Sequence, residues 1–194
     1  DRSLVGSEMC IRDRVPGHYD AELGLAYFGT GNPGPWIGDQ RPGDNLYTNS
    51  VLALDIKTGK IQAHHQYHWN GSWDWDEVST PILMPVERQG RMIDALVHPG
   101  RNGYLWTLER SADDISFVDA EPYVYQNAFA SLDPETGRPT YDPKHKPTTG
   151  STTSFCPSLW GGKDWPPAAY NPDSGLLYIP AHDNHCGVIE GREV

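Results

Sequence analysis

One seven-residue pattern, Leu-Asp-x-x-Thr-Gly-Lys/Arg, occurs twice: in LALDIKTGKIQA (52–63) and in ASLDPETGRPTY (130–141). Repetition constrains a fold strongly, because each unit must bury its apolar face against a neighbouring copy. The two aspartates stand 78 positions apart (133 minus 55). That gap holds two four-stranded units of about 40 residues each, a usual length for a propeller repeat. A second pair follows similar rules. YDAELGLAYFGTG (19–31) and YNPDSGLLYIPAH (170–182) each run from a strand end, through a polar turn with Gly, into an apolar strand. Between them, ALVHPGRNGYLWTLERSADDISFVD (95–119) reads as strand, Asn-Gly turn, strand, acidic turn and strand, Asn-Gly between apolar runs being a strong hairpin signal. Repeated hairpins with periodic Gly and aromatic residues predict an all-β fold, a β-propeller. A β-sandwich with coincidental turns is the alternative.

Composition agrees. The 194 residues include 20 Gly, 17 Pro, seven Trp and ten Tyr, which suits short strands and many turns in one domain with a real core. No long amphipathic helical pattern is present. A formal charge of −11 argues against binding a nucleic-acid backbone. No apolar run reaches the ~20 residues of a membrane-spanning helix. The opening DRSLVGSEMCIRDR (1–14) has neither strand alternation nor the apolar centre of a signal peptide. It reads as a non-native leader, which leaves 15–194 as the propeller domain and sets Cys10 aside. Cys156 and Cys186 remain: free buried thiols in a reducing compartment, or a bridge in an exported protein.

Chemistry concentrates in loops. GTGNPGPWIGDQRPGDN (29–45) and DPKHKPTTGSTTSFCPSLWGGKDWPP (142–167) are too rich in Gly and Pro for regular structure, and loops of this length in a compact domain are functional or disordered. Their tryptophans favour the first. In WNGSWDWDEVST (69–80), Asp74 and Asp76 are two apart, so an extended backbone aims both carboxylates one way. Trp73 and Trp75 are costly to leave in water, so at least one face of this segment is expected to be buried. A wet acidic turn is the plain alternative.

Five stretches in collinear order, YFGTGNPGPW, RPGDN, WDWD, ALVHPGRNGYLWTLER and FCPSLWGGKDWPPAAYNPDSGLLYIPA, resemble the quinoprotein alcohol dehydrogenases of the methanol and ethanol dehydrogenase type, which use pyrroloquinoline quinone (PQQ). The resemblance runs over roughly 18–194. It implies a partial chain, about three blades of an eight-bladed propeller, that begins and ends inside the repeat array. By the same resemblance Asn32 is a metal ligand, and Asp74 is the catalytic base and a ligand. Asp76 takes the place of the further Asp found in lanthanide-using members, and Arg101 lies beside the quinone carbonyls. Gly161-Gly162-Lys163-Asp164-Trp165 matches a cofactor segment that usually carries Asn where Asp164 stands, so Trp165 is the better-matched contact. Cys156 and Cys186 match a disulfide of methanol dehydrogenases. A Glu ligand, a Trp platform and a ring of adjacent cysteines that the family also uses have no counterpart in the matched region.

The implied chemistry is coherent. Amide and carboxylate oxygens suit a hard cation, Ca²⁺ or a lanthanide. The cation polarises a quinone carbonyl, a carboxylate takes the alcohol proton, and the guanidinium steadies negative charge on the reduced ring. An extra acid at Asp76 suits a trivalent ion. The implied whole enzyme is periplasmic, oxidises a primary alcohol and passes electrons to a cytochrome c. Two other readings compete: a non-catalytic propeller that binds protein or carbohydrate, and another hydrolytic or sugar-oxidising propeller.

Taken singly, several residues have plainer roles. Asn32 suits a turn, and Arg101 suits a solvated hairpin. Trp160 and Trp165 suit the core as well as a cofactor wall, and Glu77 suits a solvated acid or one supporting the ligands from behind. Strand alternation splits His64 from His65 and counts against a metal cluster with His68. His182, His185 and Cys186 resemble a soft-metal cluster, against which the disulfide competes. The family reading makes one geometric demand: Asn32, Asp74 and Arg101 converge near one end of the propeller axis.

Overall fold

The structure, a computed structural model, describes residues 16–193; the leader assigned to 1–14, with Cys10, lies outside them. Two four-stranded antiparallel meanders form the frame. The first holds β1 (His18–Asp20), β2 (Leu25–Gly29), β3 (Ser50–Asp55) and β4 (Ile61–Gln66), paired in sequence order. The second holds β5 (Ile82–Arg88), β6 (Arg91–Pro99), β7 (Tyr104–Arg110) and β8 (Ile115–Pro122), likewise in order. Three two-stranded sheets follow: β9 (Phe129–Leu132) with β10 (Pro139–Tyr141), β11 (Thr152–Phe155) with β14 (Gly187–Glu190), and β12 (Ala169–Asn171) with β13 (Leu176–Tyr178). The one helical element among the described residues is a 3₁₀ turn at Gly38–Gln40.

The sequence repeats are repeats of hydrogen bonding. Asp55 Oδ1 accepts from Lys57 N (2.9 Å), Thr58 N (2.7 Å) and Thr58 Oγ1 (2.9 Å). Asp133 Oδ1 accepts from Glu135 N (3.1 Å), Thr136 N (2.8 Å) and Thr136 Oγ1 (2.7 Å). Each is an Asx turn, in which the short carboxylate satisfies the bend that the chain would otherwise leave unpaired. The second pair matches too: Asp20 Oδ1 accepts from Glu22 N and Leu23 N, and Asn171 Oδ1 from Asp173 N and Ser174 N. β12–β13 also repeats the register of β1–β2, with Asp20 opposite Leu25 and Asn171 opposite Leu176.

The two meanders pack face to face. Tyr27, Val51, Tyr67, Trp106 and Leu108 are buried in their main core, joined by Trp73, Trp75, Phe129 and Phe155 from the connections and β9 and β11. The opposite face of the second meander buries Ile93, Ala95 and Val97 against Leu177 of β13. The chain therefore stacks two complete four-stranded units and the hairpin of a further one, which is the expected propeller segment of about three units with no closure.

Meander topology also sorts the loops. Alternate connections of an antiparallel sheet emerge at opposite ends. The β2–β3, β4–β5 and β6–β7 connections share one end, and the Asx turns after β1 and β3 occupy the other. The tight two-residue hairpin lies at Gln89–Gly90, where both residues have positive φ, 52° and 74°, as a type I′ turn requires. The Asn102-Gly103 turn is longer, because Gly100 to Gly103 all lie between the paired residues Pro99 and Leu105.

Candidate functional site

In the connection after β4, burial alternates residue by residue. Trp73, Trp75 and Glu77 are buried, while Asp74, Asp76 and Val78 are partly open. The two indoles stack with ring centroids 4.8 Å apart and planes 12° from parallel. Their N–H groups donate to His145 O and Ser158 O, both at 2.8 Å. This buried side fixes the strip, and Asp74 and Asp76 are left facing the same side, as their spacing predicts. Asp74 has φ 63°, the left-handed region that Asp tolerates better than most residues.

Three other segments meet that open side. The loop after β2 brings Asn32, whose N–H donates to Asp76 Oδ1 at 2.7 Å and whose Nδ2 lies 3.4 Å from Pro33 O. The β6–β7 turn brings Arg101, whose Nη1 lies 3.5 Å from both Asp76 Oδ2 and Asp164 Oδ1. The segment after β11 brings Asp164, Trp165 and the Leu159 carbonyl, which accepts from Arg101 Nη2 at 2.7 Å. Asn32, Asp74, Asp76, Arg101 and Asp164 thus gather at one end of the meanders. Trp165 lines a small cleft beside Arg101, Lys163 and Asp164. Trp160 and Trp165 are both about half exposed, at 51% and 54%, so neither is core.

The electrostatics are unbalanced. Three carboxylates surround one guanidinium in a half-buried place. Burial first, then the neighbouring Asp76 and Asp164, hold the Asp74 carboxyl up at about 7 against the pull of Arg101. Asp76 is raised as well, first by burial. A hard cation answers this excess of negative oxygen. Arg101 Nε–H is buried without an acceptor, which leaves a donor for a ring oxygen of a bound quinone. The residues present therefore fit both a cation and a quinone. Among the described residues no three His, Cys, Asp or Glu side chains already form a metal-binding group.

Of the two roles open to Glu77, the structure favours support from behind, and a second residue, Lys163, joins it unexpectedly. Glu77 is not solvated but fully buried. It accepts from Arg101 N, Asn102 N and Asn102 Nδ2, and sits 2.8 Å from His98 Nε2. Burial raises its carboxyl, and these donors with His68 outweigh that, so its pKa lies below the usual range. The signal was available in the sequence, since Glu77 shares parity with Trp73 and Trp75. Lys163 is also buried, with Nζ donating to Ser79 Oγ (2.9 Å) and Asp164 O (2.8 Å); burial lowers its pKa to about 8. Nothing in the sequence pattern singled it out.

The histidines fall as alternation requires: His64 is exposed and His65 buried. His182 and His185 are exposed, and Cys186 is bonded to Cys156. That bridge closes 30 residues and encloses the Asp164 segment, a loop closure worth about 3–4 kcal/mol in the chain-entropy model.

Residues 16–113 match the PQQ family described as glucose/ethanol/alcohol dehydrogenase, β-propeller domain. The chain belongs to that family. It is similar to the quinoprotein alcohol dehydrogenase PedH of Pseudomonas putida, 37% identical over 173 residues, covering 86% of the chain and 29% of the relative. It is likewise similar to the lanthanide-dependent methanol dehydrogenase of Methylacidiphilum fumariolicum, 38% identical over 178 residues, covering 90% and 28%. Among solved structures, a europium-containing methanol dehydrogenase superposes with a TM-score of 0.81 at 36% identity, covering 86% of this chain and 29% of that one. The chain thus spans under a third of the length of these relatives.

Proposed function

We propose that this chain is the segment of a PQQ-dependent alcohol dehydrogenase that supplies the acid–base and guanidinium half of its active site. The convergence of Asn32, Asp74, Asp76 and Arg101 from three separate connections carries this reading. Asn32 Oδ1 and the Asp74 and Asp76 carboxylates would hold the cation, and the charge of Asp76 would favour a trivalent lanthanide over Ca²⁺. When bound, the quinone with its ion supplies the carbon that accepts hydride from a primary alcohol. Asp74 takes the hydroxyl proton. Arg101 directs its guanidinium at the ring oxygens, where negative charge grows. Asp164 and Trp165, which share a cleft with Arg101, would border the ring.

The Cys156–Cys186 bridge supports an oxidising compartment, the periplasm. A cytochrome c as electron acceptor rests on the family resemblance.

The test is reconstitution of the full-length protein carrying this segment with PQQ plus Ca²⁺ or La³⁺, followed by an alcohol-dependent dye-reduction assay. The expected result is turnover that needs both the quinone and an ion, with Asp76→Ala moving the preference from La³⁺ towards Ca²⁺. No turnover with either ion would return the chain to the non-catalytic propellers. An unchanged preference in Asp76→Ala would remove Asp76 from the ion's shell.

A further inference from the structure

We infer that Glu77 is the positioning residue that fixes Arg101 for the quinone, an inference that rests on the function proposed above. Three segments of the site cross at this residue. Its N–H donates to Thr30 O at 3.2 Å, two residues before Asn32. Its neighbour in the chain is Asp76. Its side chain clamps the β6–β7 turn: Oε2 accepts from Arg101 N at 3.0 Å, and Oε1 accepts from Asn102 N at 3.2 Å and Asn102 Nδ2 at 2.8 Å. So held, Asn102 turns its Oδ1 to accept from Tyr104 N and Trp106 Nε1, which locks the turn to the core of the second meander.

The fit has no slack. A Cβ on Gly100 would stand 3.0 Å from Glu77 Oε2, and a Cβ on Gly29 would stand 2.0 Å from Glu77 O. The carboxylate faces two backbone N–H groups, the Asn102 amide, His98 Nε2 at 2.8 Å from Oε2 and His68 Nδ1 at 3.5 Å from Oε1. Only an acceptor at both oxygens satisfies the N–H groups among them. By contrast, the guanidinium is loosely held at its far end. Its two carboxylate contacts are both 3.5 Å, its Nε has no partner, and Leu159 O is its one close acceptor. The firmer anchor of that guanidinium is therefore the backbone of Arg101, held at N by Glu77 and at O by Gly162 N–H at 2.9 Å. Glu77 itself is fully buried, on the side of the strip away from Asp74 and Asp76.

A double-mutant cycle tests this in the full-length protein. Glu77→Gln keeps the shape but sets an NH₂ group against donors. The readouts are PQQ affinity at saturating La³⁺, followed by quenching of tryptophan fluorescence, and the melting temperature without PQQ. Glu77→Gln is expected to weaken PQQ binding about 10- to 100-fold, the usual size for a residue supporting a site from behind. In the Arg101→Ala background the same change is expected to add less than about threefold, because its effect passes through Arg101. His98→Phe, which removes one donor and keeps the ring stacked on Tyr67, gives a milder version of the same pattern should Glu77→Gln not fold. Losses that multiply in the double mutant would assign Glu77 to general stability. Unaltered PQQ affinity in Glu77→Gln would end the inference while leaving the proposed function intact. A wild-type protein that binds no PQQ would end both.

Discussion

A histidine sealed in a core makes the fold sensitive to acid. His65 on β4 lies against Tyr67, Trp106 and Phe117, and its Nε2 has no hydrogen-bond partner. Burial drives its pKa down to about 3, with nearby His64 and His98 adding to the effect. The folded value lies below the unfolded one of about 6.5, so the unfolded chain binds the extra proton first. Stability is whole above pH 6.5 and falls as the pH drops from there towards 3, by about 1.4 kcal/mol per unit for this one group. Denaturant titrations of His65→Phe across that window are expected to show a shallower acid loss than wild type. An identical slope would mean that His65 does not govern it. Local patterning in the sequence already separated His65 from His64, but not the depth of the burial, which depends on strands of the second meander.

Connections between strands carry the candidate site, and their shape depends on close backbone approach. Gly161 has φ 73°, and a Cβ there would come within 2.6 Å of Arg101 O and Arg101 Cβ. The segment after β11 can therefore lie on the β6–β7 turn only with glycine at this point; Gly162 N donates to Arg101 O at 2.9 Å. Gly161→Ala is expected to cost about 2 kcal/mol or more, from the left-handed backbone and the overlap together, read as a lower denaturant midpoint at unchanged slope. The strands and Asx turns were legible because they obey local rules: period-two burial, and a short side chain capping its own bend. The path of residues 142–167 was not, since it follows from contacts with Asp39, Arg101 and Ser79, far away in the chain.

At the scale of the molecule, stacked units leave surfaces that only further units would cover. Leu176, Tyr178 and Val188, on β13 and β14, are 53%, 55% and 63% exposed, and the outer strands of each sheet present unpaired edges. Such surfaces pair with whatever is near. The 194-residue chain produced alone is expected to elute above its 21.6 kDa mass in size-exclusion chromatography with light scattering, despite its charge of −11. A clean monomer would show that the segment closes its own surfaces. The convergence of Asn32, Asp74 and Arg101 was expected through the family's motifs alone; bare spacing placed Asp74 beside Asp76 but gave no sign that Asn32 and Arg101 would join them.

The odd and even residues from Trp73 to Asp76 serve two masters, packing below and the open acidic side above. One consequence concerns length rather than chemistry. Deleting or inserting a single amino acid in this strip would send indole rings into the polar mouth and carboxylates into the oil, whereas a change of two would keep each kind on its own side. Natural or engineered variation in this stretch is therefore confined to even steps.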